Sequence, residues 1–293
     1  MNLSVVIIVK NEQACIARCL ESVRNADEIV IVDTGSTDAT ESVIRDMNLP
    51  NLSLFMGEYL WRDDFAHARN FALAKASGEW RLSIDADDWM EPGAIAKIKD
   101  AILNNPTAQA FPVSIVNDGH PNDHYTVTRI IRRGVSFVGA VHEIPDVRGE
   151  GGPVATMYRG HSPNHSVDPD IDLRILLKSH ATNPADTRTM YYLAREYWYR
   201  KDFETAICIF SRYVRASSFR AERADAYLYL ARMHWLLGQG DVARDHCLQA
   251  IAINANFREA LLLMAQMSFA QNAARWRDFA ALADNSDVLF VRE

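Results

Sequence analysis

The chain has few cysteines, no long apolar run and no surplus of positive charge. Its 293 residues contain four cysteines, namely Cys15, Cys19, Cys208 and Cys247. None stands in a Cys-x-x-Cys pair, and no histidines lie at zinc-finger spacing. Neither a disulfide framework nor a structural zinc site is indicated. No segment approaches the ~20 consecutive apolar residues that span a membrane. Met1-Asn2 leads directly into a short strand-like stretch, without the pattern of a leader. A formal net charge of −7 disfavours a broad nucleic-acid-binding face, where affinity rests on neutralised phosphates. No Gly-x-Gly-x-x-Gly and no Walker A loop follow the first apolar stretch, so the dinucleotide and P-loop fingerprints are missing. These absences leave a soluble, cytoplasmic protein with free thiols as the expectation.

At this length two domains are expected, and 48% apolar residues suffice for sizeable cores. The most informative stretch is Arg81-Leu82-Ser83-Ile84-Asp85-Ala86-Asp87-Asp88-Trp89. Residues 80–84 have the length of a buried strand, and three carboxylates follow within four positions. Such acids repel one another unless something positive sits among them. Hard oxygen ligands at i and i+2 suit Mg²⁺ or Mn²⁺, which in turn hold substrate phosphates. The C-terminal edge of a strand is also where open α/β sheets bind ligands. The plainer alternative is an acidic surface loop, with Asp88 capping a helix that begins near Pro92.

Upstream, residues 3–9 and 28–32 are β-branched, almost wholly apolar runs of the kind found in central parallel strands. Ala14, Ile16, Ala17, Leu20 and Val23 recur at helical spacing between them. Asp33-Thr34-Gly35-Ser36-Thr37-Asp38 ends the second run, with Ser36 or Thr37 placed to cap the next helix. Residues 52–56 form a third strand. Phe65, Ala68, Ala72 and Ala76 mark a helix that Gly78 closes as its C′ residue. Strand, helix, strand, helix, strand is a nucleotide-binding type of α/β layer. Within the third helix Arg69 is either a surface cation or a guanidinium aimed at a diphosphate or at the acids after residue 84.

Four pieces in register carry a resemblance: residues 5–12, IVIVDTGSTDAT at 29–40, FAHARN at 65–70 and GEWRLSIDADD at 78–88. Together they resemble a family 2 glycosyltransferase of the GT-A fold, a Rossmann-like nucleotide-diphospho-sugar transferase domain. The resemblance implies that Val9 and Asn11 line the nucleobase pocket and that Asp33 contacts the base. It implies that Arg69 lies beside the nucleotide. Asp85 and Asp87, on either side of Ala86, would bind the ribose and the metal–diphosphate. Asp85 and Ala86 belong with the nucleotide and Asp87 with the metal. A nucleotide-sugar donor, a UDP-sugar first among them, and Mn²⁺ or Mg²⁺ follow from the same resemblance. A departing diphosphate is dianionic, and a divalent cation lowers the cost of the charge that develops on it.

After the acids, residues 94–103 read as a helix with Ile95, Ile98 and Ile102 on one face, and residues 110–116 and 126–132 as strands. Arg129, Arg132 and Arg133 either carry an acidic ligand or form a solvated edge. An inverting transfer needs a base for the acceptor proton. Glu143 is the candidate, with His142 orienting the acceptor and His161 completing the metal shell. The acidic-pair and Gln-x-x-Arg-Trp signatures of processive polysaccharide synthases are missing, which argues against chain extension.

Pro163-Asn164-His165-Ser166-Val167-Asp168-Pro169 is rich in turn formers, and the domains are drawn as 1–165 and 166–293. Beyond it the chain is helical. At a shift of 37, Leu193-Ala194 matches Leu230-Ala231, Ala206 matches Ala243, Ala243 matches Ala280, Phe210 matches Cys247 and Tyr191 falls opposite Leu228. Small residues where paired helices touch, with large ones between, resemble a tetratricopeptide (TPR) pattern. The units run 187–216, 223–254 and from Phe257 on, with an insertion near 217–219. Tyr191, Tyr192, Tyr197, Trp198 and Tyr199 read first as helix packing, and alternatively as an aromatic wall for a peptide or other acceptor. The fold class is therefore α/β followed by an all-α TPR-like repeat. The leading function is metal-dependent glycosyl transfer to a peptide, protein or glycan. A helical domain that makes a homodimer, a decayed transferase serving as a scaffold, and a nucleotidyltransferase are the alternatives.

Overall fold

The computed structural model describes residues 2–160, 162 and 168–283. The chain divides into two compact units, Met1–Ile171 and Asp172–Glu293. The boundary stretch chosen from the sequence falls largely on residues 163–167, outside the described residues.

The first unit runs β1 (Leu3–Val9), α1 (Ile16–Val23), β2 (Glu28–Asp33), α2 (Thr40–Asp46), β3 (Leu52–Phe55), α3 (Phe65–Lys75), β4 (Trp80–Ser83) and β5 (Trp89–Met90). It continues α4 (Ala94–Asn104), β6 (Ala110–Asn117), β7 (His120–Arg132), β8 (Phe137–Val138), β9 (Ile144–Pro145) and β10 (Thr156–Arg159). Eight strands form one sheet in the order β3-β2-β1-β4-β7-β6-β10-β5, while β8 and β9 pair separately. The strands β3, β2, β1 and β4 are mutually parallel. Antiparallel β7 joins β4 to β6. The continuous apolar character of β1 follows from burial on both faces. Leu3, Val5, Ile7 and Val9 pack in one core with Ile16 and Leu20 of α1 and Ile98 of α4. Val6 packs in the other, with Ala68 and Ala72 of α3. Truncating the fully buried Ile7 to alanine would cost about 2–5 kcal/mol.

Three local expectations change. Ser36 and Thr37 do not cap α2, whose preceding residue Ala39 makes no side-chain cap. They brace the loop after β1 instead: Asn11 N donates to Ser36 Oγ at 2.9 Å and Thr37 N donates to Asn11 Oδ1 at 2.7 Å. Gly78 is not the C′ residue of α3, which ends at Lys75 with an extended Ala76. Gly78 is small because β1 lies against it, and a Cβ there would sit 2.4 Å from Ser4 Oγ. Asp88 caps no helix. It is 1% exposed and belongs to the site described below.

The second unit is helical: α5 (Ile171–Thr182), α6 (Thr187–Tyr199), α7 (Phe203–Ala216), α8 (Arg220–Leu236), α9 (Gly240–Ile253), α10 (Arg258–Gln266) and α11 (Ala270–Leu282). The last six form three helix pairs. The second pair starts at Arg220, three residues before the expected Arg223. Asp186 and Asp202 cap α6 and α7, accepting from the Thr189 and Thr205 amides. The shift of 37 is physical. Ala194 and Ala231 are fully buried, as are Ala206 and Ala243, and Phe210 and Cys247. Small side chains let paired helices approach. Tyr191 and Tyr192 are buried, Trp198 packs on Phe203 and Tyr229, and Tyr199 is exposed. Among the described residues all four cysteines are free thiols. No described helix is long and apolar enough to cross a membrane.

Candidate functional site

Charged and turn-forming residues collect where β1, β2 and β4 end. Val9, the last residue of β1, is 2% exposed, and its carbonyl accepts from the Thr34 amide at 2.9 Å. Asn11 has φ 57, a left-handed conformation that asparagine tolerates better than most residues. Asp33 is 2% exposed. Its Oδ1 accepts from the Gly35 and Ser36 amides at 2.7 and 2.8 Å. Its Oδ2 is buried with no hydrogen-bond partner among the described residues. A fixed carboxylate thus keeps one acceptor oxygen in hand, which suits an N–H of a ligand.

The Ala68-Arg69-Asn70 segment does two jobs. Asn70 pins β8, donating from Nδ2 to the Phe137 carbonyl at 2.9 Å and accepting at Oδ1 from the Phe137 amide at 2.8 Å. The Ala140 carbonyl accepts from the first amide of α3, that of Phe65, at 2.7 Å. Glu143 is thereby brought 74 residues back along the chain to Arg69. Arg69 donates from Nε to Glu143 Oε1 and from Nη2 to Asp85 Oδ1, both at 2.5 Å, and from Nη1 to Ser83 Oγ at 3.3 Å. The surface reading of Arg69 fails, since its side chain is 6% exposed.

Asp85 stands between two guanidinium groups. Its other oxygen, Oδ2, accepts from Arg129 Nη2 at 3.2 Å. Burial would raise the Asp85 carboxyl, but Arg69 and Arg129 hold it well below the ordinary carboxylate range. Burial would lower the Arg69 pKa, and Asp85 and Glu143 raise it instead. Arg129 is 7% exposed, so the solvated-edge reading is corrected for this arginine. Arg132 does lie at the edge, bound to Glu79 and the Pro106 carbonyl. Arg133 Nη2 donates to the Ser77 carbonyl.

Three residues past Asp85 the balance is opposite. Asp88 accepts at Oδ1 from the Gly160 amide at 3.2 Å, and its buried Oδ2 has no partner among the described residues. Burial, then the charges of Asp85 and Asp87, push its carboxyl up to about 7. Asp87 is 7% exposed and its Oδ2 accepts from the Ser162 amide at 3.3 Å. Gly160 closes over this loop so tightly that a Cβ there would lie 2.1 Å from the Asp87 carbonyl oxygen. Ala86 is buried between the two acids.

No group of three or more metal-ligating side chains occurs among the described residues, and His161 lies outside them. The residues present nonetheless fit a hard divalent cation. Asp87 and Asp88 offer carboxylate oxygens, and Asp88 Oδ2 is buried without a hydrogen-bond partner among the described residues. Such sites are completed by substrate phosphates and water. Asp85 is committed to the two arginines. His142 is exposed, at φ 53, one residue from Glu143.

The sequence leaves two site residues open. Asp88 stands among the three acids and reads also as a helix cap, and Arg129 reads both as a carrier of an acidic ligand and as a solvated edge. Pro112 inside a strand, which marks an interrupted ladder, is the signal that could have decided for Arg129.

Asp85, bound by Arg69 and Arg129, and the acids beside it stand at the ends of the parallel strands of a mixed sheet, which defines an α/β protein with a charged cluster at its strand ends. The profile of Glycosyl transferase family 2 matches residues 4–159, more than half of the chain, and the chain belongs to that family. The SPbeta prophage-derived glycosyltransferase SunS of Bacillus subtilis is 33% identical over 150 residues, 47% of this chain and 33% of that protein. The lipopolysaccharide core biosynthesis glycosyltransferase LpsC of Rhizobium meliloti is 41% identical over 92 residues, 30% of this chain and 33% of that protein. A TPR repeat-containing protein of Synechococcus elongatus is 37% identical over 111 residues, 38% of this chain and 26% of that protein. The chain spans about a third or less of the length of these curated relatives. Among solved structures, S. aureus TarS 1-349 superposes with a TM-score of 0.48 at 15% identity, over 86% of this chain and 91% of that one. The family 2 assignment, the α/β sheet and the helix pairs that follow it agree with the sequence reading.

Proposed function

We propose that the chain moves a glycosyl group from a nucleotide-diphosphate sugar to an acceptor hydroxyl, with a divalent cation and with inversion. The observation that carries this is Asp85 gripped by Arg69 and Arg129 beside Asp87 and Asp88, just past the end of the parallel strand β4. Asp33 Oδ2 takes an N–H of the base, such as uracil N3–H, which makes a UDP-sugar the first donor to test. Val9 and Asn11 shape the wall of that pocket. Arg69 and Asp85 order the ribose and diphosphate, with the Ala86 peptide between them and the cation site. Asp87, with Asp88 behind it, would hold Mn²⁺ or Mg²⁺, which supplies charge to the departing diphosphate.

In the transfer the acceptor oxygen forms a bond to the anomeric carbon. The bond from that carbon to the diphosphate breaks, and its electron pair leaves with the phosphate oxygen. The acceptor proton goes to a base. Glu143 is the carboxylate at hand, and His142, exposed one residue before it, can steer the acceptor. A glycan or peptide acceptor is supported by two features: the name of the Rhizobium relative, and repeat helices of a kind that grip extended chains.

Two experiments test the reading. A thermal-shift panel of UDP-, GDP-, CMP- and TDP-sugars, with and without Mn²⁺, should show one donor raising the melting temperature, and more so with metal. No shift by any donor in folded protein would overturn it. Glu143→Gln separates two roles for that residue. Glutamine still accepts from Arg69 Nε but cannot take a proton. Loss of turnover at unchanged donor affinity identifies the base. Full turnover in Glu143→Gln would show that Glu143 only holds Arg69.

A further inference from the structure

Arg129 is aimed by a defect in the sheet. Along β6 and β7 the pairing steps from Phe111↔Ile130 to Pro112↔Thr128, so Arg129 is the extra residue of a β-bulge. The cause lies in the sequence. Pro112 has no N–H to give the ladder, and proline in a strand interior is found where pairing is interrupted. Gly149 leaves room behind the interruption, where a Cβ would come within 2.8 Å of Pro112 Cδ and 2.9 Å of Thr128 Oγ1. Bulges re-aim side chains, and this one turns a guanidinium onto Asp85.

The two arginines on Asp85 are unequal. Arg69 spends all three nitrogens, on Glu143, Asp85 and Ser83. Arg129 is as deeply buried, with its side chain 8% exposed, yet among the described residues that side chain makes one hydrogen bond, at 3.2 Å to Asp85 Oδ2. Its Nε and Nη1 are buried without a partner among the described residues. Buried guanidinium donors are ordinarily satisfied, because each carries a desolvation cost that only an acceptor offsets. The missing acceptor must be anionic or oxygen-rich, and it must lie within the reach of one guanidinium from Asp85. The same few ångströms hold Asp87 and Asp88, which call for a cation. An anion and a cation wanted side by side describe a metal-bound diphosphate.

We propose that Arg129 is a binding residue for the diphosphate of the donor, set in place by the Pro112 bulge. This rests on the site being a nucleotide-sugar site, and the test separates the two claims. UDP and uridine are titrated calorimetrically into the full chain, with Mn²⁺ present, in wild type, Arg129→Met and Arg129→Lys. The methionine variant keeps the buried volume and removes the unsatisfied charge. Its UDP dissociation constant should rise about tenfold or more, the loss expected for a charged hydrogen bond. Its affinity for uridine should not change, and its ligand-free melting temperature should equal or exceed wild type. Arg129→Lys, which keeps the charge and loses the fork, should fall between.

Wild type that binds UDP, with Arg129→Met binding it equally well, overturns the inference while leaving the donor reading intact. Equal losses for UDP and uridine with a lowered melting temperature assign Arg129 to the fold and overturn it too. Should Arg129→Met fail to fold, wild-type UDP affinity in Arg129→Lys has the same force. Wild type that binds no nucleoside diphosphate removes the donor reading, and the inference with it.

Discussion

Both units bury carboxylates, and they settle them differently. In the sheet unit Asp85 meets two guanidinium groups, which keep it ionised against the effect of burial. In the helical unit Asp225 of α8 accepts from the Tyr191 hydroxyl, and Glu222 accepts from Tyr213 Oη at 2.8 Å. Burial raises both of these carboxyls, and the tyrosine hydrogen bonds offset only part of the rise. Full charges set against one another in a poorly solvated place are costly and position-sensitive. In the helical unit the direct hydrogen bonds come from neutral tyrosine hydroxyls that register one helix pair on the next, and Arg188 stands farther off, 3.7 Å from Glu222. In the sheet unit two guanidinium groups bond one carboxylate directly.

Four perturbations sharpen this contrast. The largest effect is expected from Arg69→Ala, which takes the guanidinium from Glu143 and leaves Asp85 with Arg129 alone. Removing one partner of a buried ion pair costs about 3–5 kcal/mol, so urea unfolding of this variant should show a markedly lower midpoint, and turnover should vanish. Asp87→Ala should act on function alone. Its melting temperature should stay near wild type while turnover drops about 10²–10³-fold, the scale for losing one electrostatic stabiliser of a transition state. Wild-type turnover in this variant would sink the cation assignment.

Tyr191→Phe is next. It leaves a buried carboxyl without its donor, at about 1–3 kcal/mol, and a drop of that size in urea should come with unchanged UDP affinity. The smallest effect concerns pH. Asp225 is raised above its ordinary 3.8, so the native state holds that proton longer than the unfolded chain. Its contribution is present in acid and is lost as pH rises through the folded value. Asp85, lowered in the native state, contributes above 3.8 and loses that contribution on acidification. Melting curves from about pH 4 to pH 7 should therefore show a component that weakens with rising pH. Asp225→Asn should remove its share, at most ~1.4 kcal/mol per pH unit for one proton, and leave the shares of Asp88 and Glu222, whose carboxyls are raised as well.

Much of the framework could be read from residue order, because its causes are local. The runs at 3–9 and 28–32 need only two apolar faces to become central strands. A shift of 37 places Ala194 on Ala231 and Ala206 on Ala243, which is enough to stack helix pairs. Asp85, Asp87, Asp33 and Arg69 stood out because their chemistry and spacing sit at element ends. The capping role given to Ser36 and Thr37 missed because Asn11, from the neighbouring loop, competes for the same groups. Gly78 missed because the crowding that requires glycine comes from β1, more than seventy residues earlier.

The sequence by itself determined where the main strands of the sheet and the repeated helix pairs lie and which acids end β2 and follow β4, since periodicity and turn chemistry act over a few residues. Only the tertiary structure decided who meets those acids. Glu143 reaches Arg69 because Asn70 pins β8. Asp88 is buried because Gly160 closes over the loop. Arg129 turns inward because Pro112, on the neighbouring strand, cannot complete the ladder. Each of these depends on backbone hydrogen bonds or steric fit between segments far apart in the chain, and no local pattern carries that information.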